Sequence, residues 1–132
     1  MQFELVCLAW TLVLAIVYIM AAGQARTNQY GKEWNMSARD SQLPPLNPVA
    51  ARLERAQANL FETLPLYAAA VLIAVVADKT GMLSYWGSLI YLVARIIYLP
   101  LYAFGIPVVR TIVWLISIAG LSMILVAILL PK

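Results

Sequence analysis

Arg55, Asn59 and Glu62 stand at i, i+4 and i+7 in the run Arg55-Ala-Gln-Ala-Asn59-Leu-Phe-Glu62-Thr-Leu-Pro65. At 3.6 residues per turn that spacing gathers a cation, an amide and a carboxylate on one helical stripe. The stripe runs directly into membrane-grade apolar sequence, where ionisable side chains are costly and point to function. Two readings fit these residue types. One is a structural clamp, with Arg and Glu satisfying each other and Asn bridging helices. The other is a grip on a polar ligand: Arg forks onto carboxylates, Asn donates and accepts, and Glu accepts from an ammonium. A ligand carrying both carboxylates and an amine suits all three.

Further along the chain, Arg95, Tyr98 and Tyr102 repeat the pattern at i, i+3 and i+7. An Arg well inside an apolar span costs about 3 kcal/mol to insert, so Arg95 is expected to face the interior and pair, with Glu62 the obvious partner. Tyr98 and Tyr102 alone would read as interfacial belt residues. Arg110 follows Pro107 closely and lies in the first turns of the last apolar segment. It reads either as a snorkelling anchor or as a cation added to the positive end of a helix dipole, a place that lowers a thiol pKa. Thr111 is adjacent and Trp114 lies one turn on. Arg26 reads first as a flanking positive charge, and Asp40 as a turn former.

The elements that must position these groups are apolar helices. Of 132 residues, 64% are hydrophobic and 11% charged, a composition that points to an integral membrane protein. The net charge of +3 comes without a basic run or interleaved aromatics, so the basic residues read as topology signals and no nucleic-acid partner is expected. Cys7 is the single cysteine, so no internal disulfide can form, and with no His neither a conventional zinc site nor a Ser-His-Asp triad is expected.

Four spans are predicted, at about 3–22, 49–77, 83–104 and 108–130, within a single domain covering 1–132. The first has Glu4 and no Lys or Arg before its apolar core, which favours a retained span over a signal peptide. Residues 23–49 are rich in Asn, Gln and Pro and read as a loop. The second helix should be about 40 Å long, so its first turns protrude into water. Asp78-Lys-Thr-Gly81 and Gly105-Ile-Pro107 make short turns. The fold class is therefore an all-α membrane protein, a four-helix up-down bundle. Arg26, Lys32, Arg39, Arg52, Arg55 and Arg110 fall on one side and Lys79 and Lys132 on the other. That bias predicts cytoplasmic first and third loops, with both termini outside.

In sequence order these motifs resemble the MAPEG family, the membrane-associated proteins in eicosanoid and glutathione metabolism, and look most like its bacterial members. Arg55-Ala-x-x-Asn59-x-x-Glu62 is similar to the family signature on the second helix. Gly23-Gln24-Ala25-Arg26 is similar to the Gly-Gln-x-Arg that ends the first. Ala94-Arg95-x-x-Tyr98 with Tyr102 resembles the third-helix motif, and Pro107-Val-Val-Arg110-Thr111 the segment that carries the catalytic Arg. The resemblance implies a homotrimer in a bacterial inner membrane that binds glutathione as co-substrate between neighbouring subunits, open to the cytoplasm. Arg26, Arg55, Gln57, Asn59, Glu62, Arg95, Tyr98 and Tyr102 would hold the tripeptide. Arg110 would stabilise its thiolate, with Thr111 nearby, for attack on a hydrophobic electrophile reaching the site through the lipid. The implied activity is a detoxifying glutathione transferase or peroxidase. Two other readings stay open: a non-catalytic lipid-binding or scaffold member of the family, and a small multidrug exporter. The exporter fits least, because the acid that matters lies on the second helix beside an Arg.

Overall fold

The computed structural model describes residues 1–39 and 43–131. Its elements, in order, are α1 (Phe3–Tyr30), α2 (Lys32–Met36), α3 (Pro48–Val76), α4 (Met82–Ala103) and α5 (Pro107–Leu129). All but α2 are long and apolar enough to cross a membrane. Asp40 and Lys132, both read from the sequence, lie outside the described residues.

Local chemistry fixes the ends. Asn47 caps α3, its Oδ1 accepting from the Ala50 amide at 2.9 Å, and Pro48 occupies the first turn, where an N–H has no partner to lose. α3 ends with Asp78 in the left-handed region at φ 56°. The Lys79 amide reaches back to the Ala74 carbonyl (2.8 Å) and the Asp78 amide to Val75 (3.2 Å), which satisfies the last carbonyls. α4 closes the same way around Gly105 at φ 72°, with Ile106 bonded to Leu101 and Gly105 to Tyr102. Pro107 then starts α5 at once.

One expectation needs correction. The loop expected from residue 23 begins eight residues later, because α1 continues to Tyr30 and ends at Gly31, at φ 96°. Hydrocarbon thickness limits a span, but backbone hydrogen bonding does not stop at the hydrocarbon edge. The Pro-rich segment folds back onto the end of α1. Gln29 accepts from the Asn47 amide (2.7 Å) and donates to the Pro45 carbonyl (2.9 Å), while Tyr30 Oη donates to the Pro44 carbonyl (2.6 Å).

Small residues set the helix spacing. Ala15 and Ala22 on α1 and Ala56, Ala70 and Ala74 on α3 are buried, and close approach of this kind supplies the packing that lipid cannot drive. α4 and α5 share the most extensive interface. There a Cβ on Gly87 would lie 2.5 Å from the Gly120 carbonyl oxygen, and one on Gly120 would lie 2.7 Å from that of Gly87. The outer faces carry Trp10, Ile16, Leu72, Ile96 and Leu115, all exposed, the inverse of a water-soluble bundle. The up-down path brings the end of α1, the start of α3, the end of α4 and the start of α5 to one end of the bundle.

Candidate functional site

Arg95 is the hub of that end. It is fully buried, about 12 Å along α4 from Ala103, and its charge demands acceptors inside the bundle. Nη1 donates to Asn59 Oδ1 at 2.8 Å and Nη2 to Thr63 Oγ1 at 2.9 Å. Thr63 Oγ1 in turn sits 2.8 Å from Tyr91 Oη. The guanidinium carbon lies 5.0 Å from the centre of the Tyr98 ring and 5.6 Å from that of Tyr91, within cation–π range. From α1, Tyr18 Oη donates to the Arg95 carbonyl at 2.6 Å, so one residue ties three helices together.

The expected Arg95–Glu62 pair does not form. Glu62 is exposed, and the acceptors are Asn59 and Thr63. The reason is angular. At 100° per residue Thr63 stands about 40° from Asn59 on the side facing α4, whereas Glu62 stands about 60° away on the other side. Tyr91 and Tyr18 lie outside the sequence motifs, and Thr63, which follows Glu62 in the second-helix motif, has no role assigned to it there. Thr63 is one turn from Asn59 and Tyr91 one turn from Arg95, so extending each stripe by four residues would have found two of them.

In front of the hub lies a cleft of about 260 Å³ lined by Asn59, Tyr98, Tyr102, Arg110, Thr111 and Trp114. Tyr102 gathers two cations, Arg110 from the cleft lining and Arg55 beside it. The Arg110 guanidinium sits 4.3 Å from the Tyr102 ring centre, and that of Arg55 sits 5.9 Å from the same ring. Arg55 Nε also donates to Tyr102 Oη at 3.3 Å. Tyr98 meets Tyr102 edge-on at 5.5 Å. Arg110 is the fourth residue of α5, close to the positive end of its dipole. Thr111 Oγ1 donates to the Pro107 carbonyl (3.3 Å), and the buried Trp114 indole N–H finds no acceptor among the described residues. Behind the turn, Arg52 Nε donates to the Ala103 carbonyl at 3.0 Å and holds the end of α4 against α3.

Arg26 and Gln57 are elsewhere. Arg26 Nη1 lies 3.5 Å from Glu54 Oε2, and with Gln57, Ala58 and Phe61 they bound a separate hollow of about 290 Å³. Gln57 is two residues from both Arg55 and Asn59, about 200° around the helix, so it projects to the opposite side of α3. Within one chain the candidate residues therefore form two separate groups on different faces. One holds Arg55, Asn59, Tyr98, Tyr102, Arg110 and Thr111, with Glu62 exposed on the Arg55 stripe. The other holds Arg26 and Gln57.

An all-helical bundle with four membrane-length spans and a polar cleft at one end defines the architecture of an integral membrane protein. The chain matches the model of the MAPEG family over residues 6–130 and belongs to that family. Comparison with curated proteins and with solved structures found no match.

Proposed function

We infer that this MAPEG protein is a membrane-embedded, glutathione-dependent transferase or peroxidase acting on apolar electrophiles. The observation that carries this reading is the group of Arg55 and Arg110 about one tyrosine ring, with Arg95 behind it and a free carboxylate on Glu62. Glutathione brings two carboxylates, one ammonium and one thiol. Arg55 and the neighbour's Arg-bearing half-site match the carboxylates, Glu62 matches the ammonium, and Arg110 matches the thiolate.

The cleft is at the small end for a ligand site, which supports a tripeptide shared with a second half-site. Arg26 and Gln57 are that second half in our reading, contributed by the adjacent copy in a closed ring. A trimer is the ring that the family resemblance implies. Arg95, being buried, acts as a positioning residue through Asn59 and does not touch ligand.

The chemistry follows from charge. The thiol gives its proton to water, and the sulfur anion is held by the Arg110 cation and the positive end of α5. That anion then attacks the electrophilic carbon of an aryl halide, the carbon–sulfur bond forming as halide leaves with the carbon–halogen electron pair. With a hydroperoxide it attacks the terminal oxygen, and the O–O bond breaks to give the alcohol, protonated by water, and a sulfenic acid. A second glutathione thiol converts the sulfenic acid to the disulfide and water. The electrophile approaches from lipid. An apolar groove of about 260 Å³ between α4 and α5, lined by Trp86, Ile90, Val93 and Val113 among others, reaches Ala94, one turn from Tyr98.

The test is spectroscopic. Purified protein titrated with glutathione should develop saturable ultraviolet thiolate absorbance, lost in Arg110→Ala together with conjugation of an apolar aryl halide. No saturable absorbance in the wild type, or unchanged conjugation in the variant, sinks the proposal. Thiolate formation with no turnover over a broad electrophile and hydroperoxide panel would instead support a non-catalytic family member.

A further inference from the structure

The far end of the bundle carries an unexplained carboxylate. Glu4, in the first turn of α1, is only 5% exposed, although nothing in the glutathione reading uses it. Its Oε2 accepts a short hydrogen bond from Ser84 Oγ, and Ser84, in the first turn of α4, also accepts from the Gly81 amide at 2.8 Å. No Lys, Arg or amino terminus among the described residues forms an ion pair with Glu4. Lys79 is near this end in sequence, but its Nζ donates to the Leu130 carbonyl at 2.9 Å. The start of α1 favours a negative charge there, yet only by a fraction of what burial costs. A carboxylate so withdrawn calls for a cation.

Beside it opens a shallow, largely open hollow of about 530 Å³, bounded by Phe3, Glu4, Thr80, Met82 and Tyr85 among others. Its aromatic wall is built. The Phe3 and Tyr85 rings stack at 4.0 Å, bridging α1 to α4, and Tyr85 meets Trp86 edge-on at 5.3 Å. One carboxylate and two aromatic rings lining the same hollow select among cations. A divalent metal takes six or more oxygen ligands, which this wall does not offer. An alkylammonium needs one anionic acceptor and gains from aromatic faces. The cavity also lies at the end of the spanning helices, the level where headgroup amines and aromatic belts meet.

The geometry points to a second ligand site, separate from the Arg110 cleft, in which Glu4 and the Phe3–Tyr85 wall bind an alkylammonium group. Two sources carry that chemistry, a soluble amine and the amine headgroup of a phospholipid. The site is independent of glutathione binding, so its test stands whether or not that function holds.

Two arms test it on the full-length protein. In neutral detergent, calorimetry should show saturable binding of ethanolamine and none of ethylene glycol, its neutral counterpart. In nanodiscs of mixed phosphatidylethanolamine and phosphatidylglycerol, native mass spectrometry should show preferential retention of phosphatidylethanolamine. Glu4→Gln keeps the shape and an acceptor for Ser84, and should weaken whichever binding is seen at least tenfold. Tyr85→Ala should weaken it at least threefold. Saturation in the lipid arm alone assigns the site to a headgroup, and saturation by ethanolamine assigns it to amines generally. If neither arm saturates, or Glu4→Gln binds as the wild type does, the site does not exist. Melting of each variant in detergent controls for folding; should Glu4→Gln fail to fold, Tyr85→Ala and the ethylene glycol comparison decide.

Discussion

Arg95 grips Asn59 from inside the bundle, Nη1 to Oδ1 at 2.8 Å, while Asn59 also lines the cleft that Arg110 enters from α5. The amide is thus oriented by a buried charge, and its remaining hydrogen-bonding capacity can be directed at a ligand. A rigid brace behind a polar cleft gives binding residues fixed positions in a medium where loose polar groups are costly.

Thr63→Val removes the hydroxyl and keeps the shape. Arg95 Nη2 and Tyr91 Oη then lose their shared partner inside the core. The variant should lose about 1–3 kcal/mol of stability in denaturation from detergent micelles. A midpoint matching the wild type would show that the brace is slack.

Glu62 is exposed and forms no hydrogen bond or ion pair among the described residues. Glu62→Gln should therefore leave the melting temperature within a degree or two, since surface changes stay within about 0.5 kcal/mol. Glutathione affinity should still fall about tenfold, the worth of one lost charge-assisted bond to an ammonium. Loss of stability, or unchanged calorimetric affinity, would remove Glu62 from the grip.

Tyr102 separates two effects. Tyr102→Phe keeps the ring beneath Arg110 and Arg55 and loses only the acceptor for Arg55 Nε. Its glutathione dissociation constant should rise by about threefold, whereas Tyr102→Leu, which frees both guanidinium groups, should raise it by more than about tenfold. Equal effects of the two variants would mean that the ring face does not position the cations.

Gly87→Ala and Gly120→Ala each place a methyl group against backbone oxygen across the α4–α5 interface. Backbone cannot rotate away as a side chain can, so the helices must separate. Each variant should lose about 1–3 kcal/mol, read as a lower unfolding midpoint. An unshifted midpoint for both would contradict the close packing.

Complementation tests the shared site. Arg26→Ala and Arg110→Ala should each be inactive alone. Co-expressed at equal levels, they should recover about a quarter of wild-type sites if the proposed trimer holds, because a mixed ring of three then has one junction that joins two intact halves. No recovery from demonstrably mixed assemblies would place both residues in one protomer's site.

Much of the architecture was legible in the residues. Length and apolarity determined four spans, and the ends of α3, α4 and α5 fall within one residue of expectation because Asn47-Pro48, Asp78, Gly105 and Pro107 dictate local backbone geometry. The end of α1 was missed, since nothing in Gly23–Tyr30 forbids a helix and the hydrocarbon edge leaves no mark on the backbone. Helical spacing likewise put Arg55, Asn59 and Glu62 on one stripe, and Arg95, Tyr98 and Tyr102 on another.

What spacing cannot supply is the rotation of one helix against its neighbour. A turn of about 40° in one direction or 60° in the other decides whether Thr63 or Glu62 meets Arg95, and side-chain packing between helices sets that angle. The sequence by itself determined which residue types enter the membrane, on which faces, and at which end of the bundle. Only the tertiary structure decided that Arg95 is a buried brace, that Tyr102 gathers Arg55 and Arg110, and that Arg26 and Gln57 belong to a separate face. Those outcomes depend on interhelical packing, which no periodicity within a single helix encodes.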